Sequence, residues 1–233
     1  MSQKNFYNKL GPKYSGGKLT YANQNKLNIE IPFRMLIVGS SGTGKTNTLL
    51  NIIDQTNCFH RFYIACRNLD QPLYKYFIDK LKEVSNNTGV NEEDLFIATN
   101  NIDDLPEIDK FDKNVNNLII IDDFVGDSTK NLKKISNYFI RSRTFNTSIV
   151  FITQSYFEVP KIIRINTDYI VFKGTNDIDD LRMIIRKYFK GEDDKIVNLY
   201  EKVMKLPGNE NFILFDLKSP EPSKRIRINW GKL

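Results

Sequence analysis

The chain has 233 residues, 40% of them hydrophobic and 12% aromatic, which supports one substantial core and leaves little room for a second independent domain. Two cysteines, Cys58 and Cys66, and a single histidine, His60, exclude a disulfide framework and a Cys/His metal site. The formal charge of +6 sits at the ends, since residues 1–29 hold five lysines and no acid and residues 218–233 hold five Lys/Arg against Glu221, whereas residues 30–217 are net acidic.

Taken in chain order, residues 1–29 read as a basic, extended arm broken by Gly11-Pro12 and Gly16-Gly17. No apolar run approaches the roughly 18 residues of a spanning helix, and the opening MSQKNFYNKL is too polar for a signal peptide. An intracellular protein with no membrane partner is expected. Arg34 to Val38 form a candidate buried strand, a glycine-rich turn follows, and Thr46 to Asp54 place Leu49, Leu50, Ile52 and Ile53 on helical spacing. Further strands are expected at 61–66, 94–99, 117–122, 148–153 and 168–173, with helices at 71–84, 128–140, 176–189 and 192–205. Short apolar strands alternating with amphipathic helices predict an α/β fold, with a mostly parallel sheet covered by helices on both faces. The end, NFILFDLKSPEPSKRIRIN, predicts a C-terminal antiparallel hairpin at the sheet edge.

The first chemistry lies at 39–46. GSSGTGKT matches G-x-x-x-x-G-K-[ST], with a strand before it and a helix after it. Gly39, Gly42 and Gly44 let the backbone fold round phosphates, with Ser40, Ser41, Thr43 and Asn47 completing the loop. Lys45 is placed to reach the β- and γ-phosphates of ATP and Thr46 to ligate Mg²⁺. A second metal carboxylate is expected from LIIIDD, where Asp122 ends a buried strand and Asp123 follows it. In the additional-strand (RecA-like) class of P-loop ATPases the position of Asp123 is usually Glu, which polarises the attacking water. Asp123 is one methylene shorter, and a plain turn residue is its alternative. Gln154 ends the strand 148–153 with a polar amide that needs a partner. If that strand lies beside the Asp122 strand, Gln154 meets the γ-phosphate or the lytic water; otherwise it braces a loop. Arg141, Arg143 and Arg164, read as lying in loops flanking that strand, are the candidate arginine fingers or sensors, with surface or DNA-phosphate contacts as the alternative. These motifs divide the chain into a basic arm (1–29), a P-loop ATPase domain (30–217) and a basic C-terminal strand or tail (218–233).

GSSGTGKT, LIIIDD, RSRTFNTSIVFITQSYFEVP and KIIRINTDYIVFKG, in this order and spacing, resemble the viral DNA-packaging ATPases of poxviruses, other large DNA viruses, virophages and polinton-like elements, within the FtsK–HerA superfamily. The resemblance spans roughly residues 30–217. It implies a Mg-dependent ATPase, a homo-oligomeric ring that translocates double-stranded DNA into a preformed capsid through a capsid or portal vertex. It places such a protein in the infected host cell, in a cytoplasmic virus factory or on the capsid. Carried over by position, Lys45 and Thr46 are the phosphate and magnesium residues, Asp122 the metal carboxylate, Asp123 the catalytic carboxylate and Gln154 the sensor. Arg143, eleven residues before Gln154 as in FtsK-like motors, becomes the trans-acting finger. Two rivals remain at this point. A small-molecule kinase would use Arg182, Arg186 and Lys187 as a lid, although these fall on the polar side of an amphipathic pattern. A non-hydrolysing ATP-clamped adaptor draws on Asp123 in place of Glu. Segments 67–75 and 124–134, with Lys75, Lys130, Lys133 and Lys134, are candidate pore loops, with solvated loops as the plainer reading.

Overall fold

Apolar runs too short to bury themselves pair into one sheet. The computed structural model describes residues 26–175, 178–208 and 210–231; most of the expected basic arm lies outside them. The elements are β1 (Arg34–Val38), α1 (Lys45–Thr56), β2 (Arg61–Cys66), α2 (Pro72–Thr88), α3 (Glu92–Leu95), β3 (Phe96–Thr99), β4 (Asn117–Asp122), α4 (Thr129–Arg141), β5 (Thr147–Thr153), α5 (Lys161–Asn166), β6 (Tyr169–Phe172), α6 (Ile178–Tyr188), α7 (Asp193–Met204), β7 (Ile213–Asp216) and β8 (Ile226–Ile228). Strand order is β3-β2-β4-β5-β1-β6-β7-β8. The first six of these run parallel, and β7 and β8 close the sheet as the expected antiparallel pair.

Successive strand residues point to opposite faces, so Met35 and Ile37 join one core and Leu36 and Val38 the other. Leu49 and Ile52 of α1 and Tyr74, Phe77 and Leu81 of α2 cover the first face. The second is covered by Ile135 and Phe139 of α4, Ile163 of α5, Leu181 and Ile184 of α6, and Ile196 and Tyr200 of α7. This is the double covering that near-continuous apolar strands require.

Two segments differ from the expectation. The strand predicted from residue 94 starts at Phe96, because Glu92, Glu93 and Asp94 form the first turn of α3, where acidic side chains favour a helix N-terminus. The segment after Gln154, read as a loop, contains α5, with Pro160 at its N-cap, a place where a missing N–H costs nothing. Six residues are too few to reveal a helical period. The ordered fold also begins before residue 30, since Leu27 and Ile29 are buried in the first core. Part of the C-terminal basic charge is internal, with buried Arg227 donating to the Leu27 carbonyl. Cys58 and Cys66 are buried free thiols. Among the described residues, no helix is long and apolar enough to cross a membrane.

Candidate nucleotide site

Strand order and register bring the motifs together. β5 lies between β1 and β4, pairing Val38 with Thr153 and Asp122 with Ile152. The glycine loop, the two carboxylates and Gln154 therefore leave the sheet side by side at its carboxyl edge, where ligands of open α/β sheets bind. Their side chains line a cleft of about 300 Å³ that includes Lys45, Thr46, Asp122, Asp123 and Gln154. A second hollow, of about 430 Å³, shares Asp123, Thr153 and Gln154 with it.

The loop is built for backbone contact with an anion. Gly42 and Gly44 have φ of 77° and 79°, the left-handed region that glycine enters without penalty. Gly39 is packed so closely that a Cβ there would lie 2.9 Å from both the Lys173 Cβ and the Thr43 Oγ1. Gly44 is the N-cap of α1, with no side-chain cap and no acidic residue in the first turn. The free N–H groups and the positive helix end are thus open to phosphate. Lys45 Nζ donates to the Gly39 and Ser40 carbonyls at 2.7 and 2.9 Å. Burial lowers its pKa, and Asp122 and Asp123 oppose that shift.

Asp122 is buried and accepts a 2.7 Å hydrogen bond from Tyr74 Oη on Oδ2. Burial pushes its pKa up to about 6 against the pull of that hydrogen bond and of Lys45. Among the described residues Oδ1 accepts no hydrogen bond, and Asp122 lines the cleft. An alcohol oxygen from Thr46 and one carboxylate oxygen from Asp122, in a cleft that would also hold phosphates, suit Mg²⁺, which keeps most of its waters. Asp123 is exposed and has φ of 66°, the left-handed region that Asp and Asn tolerate better than most residues. Gln154 is exposed and has no hydrogen-bond partner among the described residues. Its amide lines both hollows and is open to solvent.

Sequence reasoning missed what holds Gln154 in place. Buried Asp180 on α6 accepts from the backbone N–H groups of Tyr156 and Phe157, both at 2.7 Å, and from Ser155 Oγ at 3.3 Å. It also missed Tyr74, which carries no motif signal, and Lys173. The last could have been noticed as a lysine ending the apolar run DYIVFK. Lys173 is 1% exposed, and its Nζ donates to Thr48 Oγ1, which donates in turn to the Gly44 carbonyl.

The arginines lie elsewhere, and not in loops. Arg141 ends α4 and stacks on Phe145, Arg143 lies in a 3₁₀ turn (Ser142–Phe145), and Arg164 is in α5. Arg143 precedes β5 and pairs with Asp168, which precedes β6, so it sits at the amino edge of the sheet. Arg164 lies against Tyr156 and Met183. Among the described residues, no arginine lines either hollow. Arg182 pairs with Asp179, and Arg186 and Lys187 are exposed on the polar side of α6. Of the suggested pore-loop lysines, Lys75 pairs with Asp70, Lys130 with Asp103, and Lys134 donates to the Leu105 carbonyl.

Residues 20–215 match the family described as Poxvirus A32 protein. The chain belongs to that family. This A32-family chain is 24% identical over 188 residues to "DNA packaging protein OPG160" of Variola virus, covering 80% of this chain and 69% of the relative. The Vaccinia virus (strain Copenhagen) protein of the same name matches to the same extent. Among solved structures, the genome packaging NTPase B204 from Sulfolobus turreted icosahedral virus 2, in complex with ATP-gammaS, superposes with a TM-score of 0.57 at 16% identity. That match covers 88% of this chain and 100% of the other. The cytoplasmic domain of EssC gives 0.51 at 14% identity, over 94% and 42%. These two likenesses show that the A32-family chain shares the fold of those solved structures.

Proposed function

We propose that the chain is an ATP-hydrolysing motor that drives double-stranded DNA into a preformed viral capsid. It works as a homo-oligomeric ring in which Arg143 of one subunit completes its neighbour's site. The observation that carries this reading is the composition of the cleft. Phosphate loop, metal carboxylate, Asp123 and Gln154 converge, but no arginine of the same chain lines the cleft among the described residues. Arg143 stands at the opposite edge with its side chain 45% exposed. A finger supplied from a second subunit fits this division.

In this reading the loop N–H groups and Lys45 hold the β- and γ-phosphates, and Thr46 and Asp122 hold Mg²⁺. The ion, when bound, neutralises charge that develops on the phosphate oxygens. Asp123 orients a water whose oxygen attacks the γ-phosphorus as the bond to the ADP oxygen breaks, and it takes the proton the water releases. Gln154 bonds the γ-phosphate or that water, and Asp180 passes its state to α6. DNA contacts are to phosphates and independent of sequence, so they weaken steeply with salt. The motor acts in the cytoplasm of the infected cell, at the capsid vertex.

The test is steady-state ATP hydrolysis at low salt, with and without linear double-stranded DNA, for the wild type, Lys45→Ala, Arg143→Ala and an equal mixture of the two variants. DNA-stimulated turnover, lost about 10²-fold or more in each variant and partly regained on mixing, is expected. Turnover indifferent to DNA overturns the motor. Full activity in Arg143→Ala moves the finger to Arg141 or Arg164.

A further inference from the structure

The phosphate cleft accounts for one end of a nucleotide only. A separate hollow of about 180 Å³ lies between α1 and the residues that precede β7 and follow β8, and it shares Asn47 with the phosphate cleft. It therefore begins where the phosphate cleft ends. Resting on the nucleotide reading above, we propose that this hollow is the nucleoside subsite, in which a purine base packs against Trp230 and the amides of α1 address its edge.

Both walls are preorganised. Asn47, Asn51 and Gln55 are spaced by four residues, so they form one strip along α1. Asn51 Nδ2 donates to the Asn47 carbonyl at 2.9 Å and Gln55 Nε2 to Asn51 Oδ1 at 3.5 Å. This arrangement leaves the Asn47 side chain and the Gln55 carbonyl oxygen available to a ligand. An amide strip offers both donors and acceptors, as the mixed edge of a purine requires. Opposite it, Trp230 is half-buried and packs against Phe212 with ring centroids 4.9 Å apart at 69°. Phe212 is pinned by a reciprocal pair, its N–H donating to Asn229 Oδ1 at 2.9 Å and its carbonyl accepting from the Asn229 N–H at 3.0 Å. A rigid aromatic wall loses little entropy when a flat ring meets it. Glu210, exposed at the mouth of the hollow, is an acceptor for ribose hydroxyls.

Asn51 stands one helical turn, about 6 Å along the axis, beyond Asn47. The path from phosphate to base thus runs along α1, over the strip that the sequence already devotes to amides. The same helix whose first turn binds phosphate would carry base recognition on its next two turns.

Trp230 is the sole tryptophan of the chain, so its fluorescence reports on the hollow directly. Binding of ATP, GTP, CTP and inorganic tripolyphosphate would be followed both by Trp230 emission and by calorimetry, on the wild type, Trp230→Leu, Gln55→Ala and Lys45→Ala. Saturable quenching by ATP but not by tripolyphosphate is expected. Trp230→Leu is expected to weaken ATP roughly 5- to 100-fold, the range for loss of one base–aromatic contact, and to leave tripolyphosphate affinity unchanged. Gln55→Ala, on a half-buried helix position, should shift the ranking of ATP, GTP and CTP and serves if Trp230→Leu does not fold. The inference is overturned if tripolyphosphate quenches as ATP does, if Trp230→Leu weakens both ligands equally, or if Gln55→Ala changes no ranking. Failure of the nucleotide reading looks different: neither ligand binds the wild type more tightly than Lys45→Ala, and both proposals fall together.

Discussion

At the amino edge of the sheet, buried Asp168 accepts from the Arg34 backbone N–H at 3.0 Å, from its guanidinium at 2.9 and 3.2 Å and from Arg143 at 2.5 Å. Arg34 in turn donates to the Phe139 carbonyl and Asn166. At the carboxyl edge, Asp122 has one protein hydrogen bond, Lys45 rests on two loop carbonyls, Lys173 donates to a lone hydroxyl, and Gln154 has no partner among the described residues. Both edges carry buried or half-buried charge, and the groups that line the cleft have fewer internal partners than Asp168 and Arg34 at the amino edge. Saturated charges fix structure, whereas charges left short of partners fit a ligand that is not part of the chain.

The contrast can be broken at either edge. The largest effect is expected for Asp123→Asn, which keeps a residue tolerant of the left-handed backbone and removes only the proposed base. Turnover should fall about 10²- to 10⁴-fold, with the melting temperature unchanged. Asp168→Ala should do the reverse, since it leaves two arginines without their common partner. About 3–5 kcal/mol of stability should be lost in chemical denaturation, while the ATP affinity of the folded fraction stays the same. A drop in affinity without loss of stability would reverse the roles assigned to the two edges.

Lys173→Met sharpens the comparison by pH. Burial holds the Lys173 amine at about 8, against an ordinary 10.5, so the unfolded chain binds more protons between those values and wild-type stability rises with pH across that window. At pH 7 the variant should gain up to about 3 kcal/mol, a gain that shrinks from pH 8 and is gone near 10.5. Urea melts at pH 7 and 10 would show it. The smallest effect is expected for Asp180→Asn, which loses about 1 kcal/mol of local hydrogen bonding. Faster amide exchange at Tyr156 and Phe157, with little change in global melting, is the signature.

Much of this was readable in the chain because it depends on local pattern. The glycine loop needs particular backbone angles, and LIIIDD needs a buried strand with a polar end. Both leave marks within a few residues. What escaped depends on tertiary proximity. Tyr74 reaches Asp122 across 48 positions and Lys173 reaches Thr48 across 125, and no local period records such meetings. Asp180 lies in the first turn of α6 and carries no motif of its own, and only the fold turns it inward beneath the Gln154 loop. The edge to which Arg143 belongs likewise follows from strand direction, not from its spacing to Gln154.

The left-handed backbone at Asp123 bears on which residues this position tolerates. Glutamate would reach further into the cleft, but a residue with a longer side chain pays about 1 kcal/mol or more to hold φ near 66°. Asparagine and glycine fit the angle but cannot act as a base. For the base proposed above, the main-chain geometry thus favours aspartate at residue 123 over glutamate.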